Sequence, residues 1–484
     1  MHALIIGLAV LIFGYMLYGA LVEKVMGIDG SRPTPAYSMR DNVDYMPLPT
    51  WKVFLIQFLN IAGLGPIFGA IMGIMFGPSA FLWIALGTIF GGAVHDFTSA
   101  IISLRSGGCS LPEIIGTQLG KRVRLVMRIF TLLLLVLVAA VFVITPADII
   151  SNMTPDYLDK TFWISVIFIY YILATVLPID KIIGNLYPVF GFALLFMAAG
   201  LLAVLFFGNV IIPDGFLEGL DNRYPLETRE SHPIFPMMFV SIACGAISGF
   251  HATQSPMMAR CLKNEKLARP VFYGTMVAEG IVAMIWAAAA IAFTGGYEQL
   301  AEYMANGGTA GALVKDISVE WLGSVGSVLA LLGVVFAPIT TGDTALRSAR
   351  LIAADFIGFT QEKLKHRFAL CIPLFGVTFL LMLLDFNILW RYFAWCNQTL
   401  TVFTLWSVTV WLAREGKNYA ITILPAIFMT VVCTSYILYA PTPEGLGLPI
   451  EVALGAGGAV ALTFLILFTK FVVRHENKLR GINI

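Results

Sequence analysis

The sequence predicts an all-α polytopic membrane protein of about 13 transmembrane helices, on three observations. Hydrophobic residues make up 58% of the 484 and charged residues 12%, about half the charged share of an ordinary soluble domain. Apolar runs of about 20 residues recur from end to end, each long enough to cross a bilayer. Two of those runs, Trp51 to Gly77 and Phe235 to Met258, are interrupted by Gly and Pro. The net charge of +1 says nothing about partners, because sidedness of charge matters here and its sum does not.

Taken in order, the spans fall at 3–26, 51–77, 80–104, 122–146, 161–178, 184–208, 235–258, 269–293, 322–346, 367–385, 388–413, 418–439 and 449–473. The first run lacks a basic leader and a small-residue cleavage site, so it reads as a retained helix and not a signal peptide. Alternate loops differ in charge. One set holds Lys24, Arg32 and Arg40; Arg105, Lys121, Arg122 and Arg124; Arg260, Lys263, Lys266 and Arg269; Arg347, Arg350, Lys363, Lys365 and Arg367; Arg414 and Lys417; and Lys470, Arg474, Lys478 and Arg480. The other holds Lys160, Arg223, Arg229, Lys315 and Arg391. With Lys52, Arg128 and Lys181 counted in the first set, about 25 of the 30 basic residues share one side, which the positive-inside rule makes cytoplasmic. The N-terminus is then outside and the C-terminus inside. The outer loops run at about 147–160, 209–234 and 294–321; the second is acidic, with Asp214, Glu218, Asp221, Glu227 and Glu230. The six cysteines form no C-x-x-C and mostly sit in apolar runs, so they read as buried thiols.

The interruptions carry the most information. Gly63-Leu64-Gly65-Pro66 lies at the centre of the first run, and 245–256, from Gly245 through Ser248-Gly249-Phe250-His251 to Pro256, lies in the second. Pro removes a backbone donor and Gly removes the bias toward helix. An unmade backbone hydrogen bond costs several kcal/mol in hydrocarbon, so a gap survives only against a cavity or inside protein. Setting 3–26 aside, the second interrupted span begins five helices after the first. The two groups of five, 51–208 and 235–413, therefore run with opposite orientation: an inverted repeat with a broken helix leading each half, followed by two helices at 418–473. Matched breaks of this kind are the best sequence pointer to a transporter's binding site, and the pattern resembles the LeuT-type symporter architecture.

Half-helix N-termini attract anions and exposed carbonyls attract cations. The candidates for substrate binding are Asn60, Ala62, Gly63, Leu64 and Gly65 at the first break, and Ser248, Gly249, His251, Thr253, Gln254 and Ser255 at the second. The competing reading of these polar side chains is helix–helix glue. A second constellation is Ala337-Pro338-Ile339-Thr340-Thr341-Gly342-Asp343. By the LeuT-type resemblance, the Ala337 carbonyl and the Thr340 and Thr341 hydroxyls would join the Leu59 and Ala62 carbonyls as hard oxygen ligands of Na⁺; otherwise the hydroxyls bond back to the preceding turn. Ionisable groups within spans default to function: His95, Asp96, His251 and Glu279, with Asp343 and Asp385 near span ends. His changes charge in the physiological range, so His95, Asp96, Glu279 and Asp343 are candidates for proton coupling, against a buried polar network that locks helices. Metal binding by His95 and His251 lacks suitable ligand spacing. No nucleotide loop, hydrolase triad or nucleic-acid signature is present. The partners implied are the lipid bilayer and a small solute, with no cofactor beyond a coupling ion.

Five stretches carry a family resemblance: Ile61-Ala62-Gly63-Leu64-Gly65-Pro66-Ile67, Gly92-Ala93-Val94-His95-Asp96, Ser248-Gly249-Phe250-His251-Ala252-Thr253-Gln254-Ser255-Pro256, Thr340-Thr341-Gly342-Asp343-Thr344-Ala345-Leu346-Arg347 and Trp395-Cys396-Asn397-Gln398. On these the chain resembles the carbon starvation protein A family. The resemblance implies a bacterial inner-membrane carrier for peptides or pyruvate, used in carbon starvation, with proton-driven pyruvate uptake and no enzymatic activity. The chain is short beside many members. Rival expectations are a Na⁺-coupled symporter of the same fold, a passive channel, and a non-transporting membrane sensor. A channel needs a continuous polar lining, which sparse intramembrane charge disfavours; a sensor lacks an output domain here.

Overall fold

A computed structural model describes residues 1–151, 154–176, 183–213, 219–360, 364–384, 386–442 and 444–474, and these contain helices and connections but no strand. Asp385, Asp214 and Glu218 lie outside the described residues. In order, the helices are α1 (His2–Met26), α2 (Pro35–Ser38), α3 (Thr50–Ile61), α4 (Gly65–Ile74), α5 (Ser79–Leu86), α6 (Ala93–Arg105), α7 (Leu111–Leu119), α8 (Lys121–Ser151), α9 (Lys160–Val176), α10 (Ile183–Phe207), α11 (Phe239–Ser241), α12 (His251–Ala259), α13 (Gly274–Thr294), α14 (Tyr297–Ala305), α15 (Ala310–Ala330), α16 (Phe336–Ile357), α17 (Leu364–Leu381), α18 (Phe386–Arg414), α19 (Ala420–Tyr439) and α20 (Ile450–Phe468). A π-turn joins α5 to α6 in one continuous span, Ser79–Arg105. Among the described residues eight helices are long and apolar enough to cross a membrane, or nine with the bent pair α3–α4 taken as one. The helices α9, α17 and α18 and the broken stretch 234–259 occupy the other sequence-predicted spans.

Both interruptions exist. α3 and α4 meet at 46° across Ala62-Gly63-Leu64. The second gap is longer: residues 242–250 are turn and coil between α11 and α12. One expected boundary is corrected. The span expected at 322–346 runs instead from Val328 to Ile357, and the expected outer loop 294–321 holds α14 and most of α15. Gly323, with φ of 61°, kinks α15 close to the expected start of that span, a backbone that only glycine takes without cost. The buried arginines of α16 dragged the expected span short at its other end. Arg347 and Arg350, expected in a cytoplasmic loop, are wholly buried within α16.

Packing places the breaks at the centre. α4 lies against α13, and α8 lies along α16. The pair α8–α16 is antiparallel: Val143 and Ala147 share a cluster with Val335 and Ile339, whereas Leu132 packs on Ala353 and Ala354. α1 covers α5 and α13 while turning Phe13, Met16 and Leu17 outward, and α19 and α20 form an outer pair beside α18 with Leu462 and Ile466 exposed. Large exposed apolar side chains on peripheral helices are the surface a bilayer solvates, since lipid is as apolar as leucine.

Candidate functional site

The two breaks touch. A Cβ on Gly65 would overlap the Cys244 side chain, and one on Gly245 would stand 3.6 Å from the Pro66 Cα. Glycine is therefore required where one gap is pressed against the other. Gly63 faces the other way, with a notional Cβ 3.1 Å from the Thr341 Oγ1 and 3.2 Å from the Phe142 ring.

α18 clamps the second gap from behind. The Asn397 Oδ1 accepts from the Ser248 hydroxyl (3.0 Å) and the Phe250 N–H (2.6 Å), and the Gln398 Nε2 donates to the Ile247 carbonyl (2.9 Å). These bonds replace the helical ladder that 242–250 has lost, as a backbone buried in an apolar surround demands. Asn397 and Gln398 were not among the sequence candidates; their signal was a pair of amides inside an otherwise apolar run. Several candidates are likewise committed to structure. Thr253 donates to the Phe250 carbonyl (2.6 Å), Ser255 to the His251 carbonyl (3.1 Å), and the Gln254 Nε2 to the Thr253 hydroxyl (2.8 Å).

Other candidates keep polar atoms free of protein partners. Both amide atoms of Asn60, and both of Gln57 one turn earlier on α3, are buried without a hydrogen bond; so is the Gln254 Oε1. A buried polar atom without a partner costs about 1–3 kcal/mol, so such a group on the helix entering the first break marks a place for a polar solute or water.

The ionisable residues form two groups. In the first, the Asp96 Oδ1 lies 2.8 Å from the His95 Nδ1 and its Oδ2 lies 2.9 Å from the His251 Nδ1; the His251 Nε2 lies 3.5 Å from a Glu279 carboxylate oxygen. All four side chains are fully buried. Although adjacent in sequence, His95 and Asp96 do pair. His251 is the first residue of α12, so this chain of groups begins where the second gap ends. In the second group, Asp343 accepts hydrogen bonds from Tyr187 and from Tyr170 (3.2 Å) through one oxygen, and its other oxygen has no protein partner. Asp343 is thus held by α9 and α10 rather than by the histidines.

The oxygens expected to bind a cation come together in part. The Thr341 hydroxyl bridges the Leu59 carbonyl (3.0 Å) and the Ala337 carbonyl (2.9 Å), and the Thr340 hydroxyl turns back to Ala337 (2.7 Å). Ala62 is buried in the linker beside them.

Access is asymmetric. A cavity of about 730 Å³, bordered by Phe68, Thr145, Asp148, Lys160, Lys315 and Trp390, opens at the C-terminal end of α8. An aromatic layer separates it from Gly63: Phe68 on Trp390 (6.4 Å between centroids), Trp390 on Phe393 (5.6 Å) and Phe393 on Phe142 (5.9 Å). At the opposite end the 41–48 segment plugs the bundle. Its Asp44 pairs with Arg347 (3.1 Å) and Arg350 (3.3 Å), and its Leu48 N–H donates to the Cys261 carbonyl (3.1 Å). Burial pushes the Asp44 carboxyl up, but Arg350, Arg347 and Arg260 outweigh it and hold the group down at about 2.

This fold is that of LeuT-type membrane transporters. Over 96% of this chain and 97% of the other, it superposes on a Na⁺-coupled sialic acid symporter with a TM-score of 0.52 at 15% identity. Over 86% and 97% it superposes on MhsT, solved with L-phenylalanine, also at 0.52 and 14% identity. The chain belongs to the carbon starvation protein CstA family, matching it over residues 1–157 and 151–320. It is 42% identical over 331 residues to an uncharacterized membrane protein of Haemophilus influenzae, covering 59% of this chain and 89% of that one. It is 28% identical over 344 residues to the peptide transporter CstA of Campylobacter jejuni (59% and 49%), and 26% identical over 332 residues to the pyruvate/proton symporter BtsT of Escherichia coli (56% and 46%). The matches to these two named transporters span about half of their length. The family and its structural neighbours are transporters, not enzymes.

Proposed function

We propose that this chain is a secondary active symporter of a bacterial inner membrane, importing a small carboxylate-bearing nutrient on a proton gradient by alternating access about the two breaks. Pyruvate is the first expectation, and a short peptide or amino acid the second; the named relatives support both. The halves that rock are 51–208 and 235–413, with 3–26 and 418–473 peripheral, the N-terminus outside and the C-terminus cytoplasmic.

The observation that carries this reading is the position of His251. It opens the half-helix after the second gap, and its ring lies against the Asp96 and Glu279 carboxylates at 2.9 and 3.5 Å. Adding or removing a proton in a fully buried His–Asp–His–Glu chain changes charge that has no water to screen it. The stable position of α12 then depends on protonation. Coupling requires that dependence, because an ion that binds both states equally couples nothing. The half-helix N-terminus of α4, the unpartnered amides of Gln57 and Asn60, and the Ala62–Gly65 backbone make the solute's side of the site, with Ser248, Gly249 and Gln254 opposite. Asp343 serves as a second proton-carrying group.

A Na⁺-coupled reading rests on the Leu59 and Ala337 carbonyl oxygens, which lie 3.0 and 2.9 Å from the Thr341 hydroxyl. Uptake of labelled pyruvate into proteoliposomes separates the readings. A pH gradient alone should drive accumulation; accumulation that needs Na⁺ and survives a protonophore favours the sodium site. Equilibration without accumulation favours a channel, and no flux for pyruvate, peptides or amino acids favours a sensor.

A further inference from the structure

At the closed end of the bundle, guanidinium groups crowd one loop carboxylate. Arg347 and Arg350 are wholly buried and Arg260 is 4% exposed. Arg347 donates to Asp44 (3.1 Å) and to the Ala174 carbonyl (2.6 Å), Arg350 reaches both Asp44 oxygens (3.4 and 3.3 Å), and Arg260 lies over the Tyr45 ring (4.8 Å) and donates to the Gly108 carbonyl (2.9 Å). The other charged groups felt here are Arg367, which acts on Cys371 together with Arg350 and Arg347, Asp355 near Arg260, and Asp343 one turn before Arg347, which the tyrosines hold. A buried guanidinium whose carboxylate leaves is strongly destabilising. Yet the bundle must open at this end to release a solute. Asp44 rides on the loop that leads into α3, so it moves when that helix moves.

Arg347 lies six residues beyond Thr341, which touches the first break; that is about 9 Å along one helix, and Arg350 is about 14 Å along. A solute anion leaving the breaks meets this pair next. We propose that the Arg347–Arg350 pair is a carboxylate-binding site on the exit route, occupied in the closed state by Asp44 as a built-in surrogate and by the solute's own carboxylate when the 41–48 loop swings away. The exchange leaves the guanidiniums paired throughout opening, and the fork of Arg suits it because it takes either carboxylate in the same geometry. This rests on the reading that an anionic solute crosses between the breaks.

The test titrates the purified full chain with sodium acetate against sodium chloride. D44N replaces the surrogate carboxylate by a neutral amide, so the loop gives way to acetate more readily; acetate should raise its melting midpoint by mass action, with an apparent affinity about tenfold or more tighter than in wild type, where binding waits on the open fraction. D44N/R347Q should lose that response. A second readout needs no substitution. The Cys261 thiol is covered by the loop, and burial together with Asp44 pushes it up to about 12, so it alkylates slowly while the loop is seated. Acetate should speed maleimide labelling of Cys261 in wild type, read peptide by peptide. An acetate response in D44N that survives R347Q, or Cys261 labelling equal in acetate and chloride, overturns the proposal. An acetate response without pyruvate uptake keeps this site and removes the pyruvate reading; uptake without an acetate response does the reverse.

Discussion

The two breaks solve the same backbone problem in opposite ways. The first is a three-residue hinge whose neighbouring amides, Gln57 and Asn60, have no protein partner. The second is a nine-residue gap whose Ser248 hydroxyl, Phe250 N–H and Ile247 carbonyl are taken up by Asn397 and Gln398, and whose exit residue is tied to two buried carboxylates. On the proposed reading, a gap that leaves donors and acceptors unspent receives a solute. A gap that spends them is a fixed part, and its remaining freedom lies in the protonation of what holds it. The proposed function thus assigns recognition to the first gap and coupling to the second.

The largest effect should come from cutting the second gap loose. D96A leaves the His95 and His251 rings without their shared partner and should cost about 3–5 kcal/mol, the range for breaking a buried ionic contact, seen as a large fall in melting midpoint with loss of gradient-driven uptake. N397A removes the acceptor of the Phe250 N–H and should cost about 1–3 kcal/mol, weakening solute affinity indirectly. At the first break the sign reverses. N60L replaces an unpartnered buried amide by an apolar side chain of similar size, so stability should hold or rise, while KM for the solute rises about tenfold through a lost hydrogen bond. A fall in stability for N60L comparable to that of N397A would erase the distinction between the two gaps. The smallest effect concerns the plug. Because Asp44 is held down at about 2, its folded value is below its unfolded one. Its contribution is therefore full above about pH 4 and is lost as pH falls toward 2. The wild-type midpoint should drop more steeply than that of D44N across that window, and the two should run parallel above it.

Where the chain breaks was legible because Gly and Pro act on the backbone locally, and Gly63, Gly65 and Pro66 announce their effect in any context. The family signal at Ser248–Pro256 and Thr340–Arg347 was legible for the same reason: the residues needed stand together. What stayed hidden depends on partners far away in sequence. Arg347 and Arg350 read as a loop because two arginines in an apolar run forbid a span unless a carboxylate some 300 positions earlier joins them. Asn397 was quoted within a motif but given no task, since its partners are the Phe250 N–H and the Ser248 hydroxyl, 147 and 149 residues away. The span expected at 322–346 ended too early for the same reason, since the helix runs through both arginines to Ile357.

The most direct test is pyruvate accumulation in proteoliposomes under an imposed pH gradient, wild type against H251N, which keeps the size of the ring's inner portion but cannot carry its proton. Wild type should accumulate label above equilibrium, and H251N should equilibrate it at a comparable initial rate without accumulation. Accumulation by H251N to the wild-type level would contradict the assignment of coupling to the second gap.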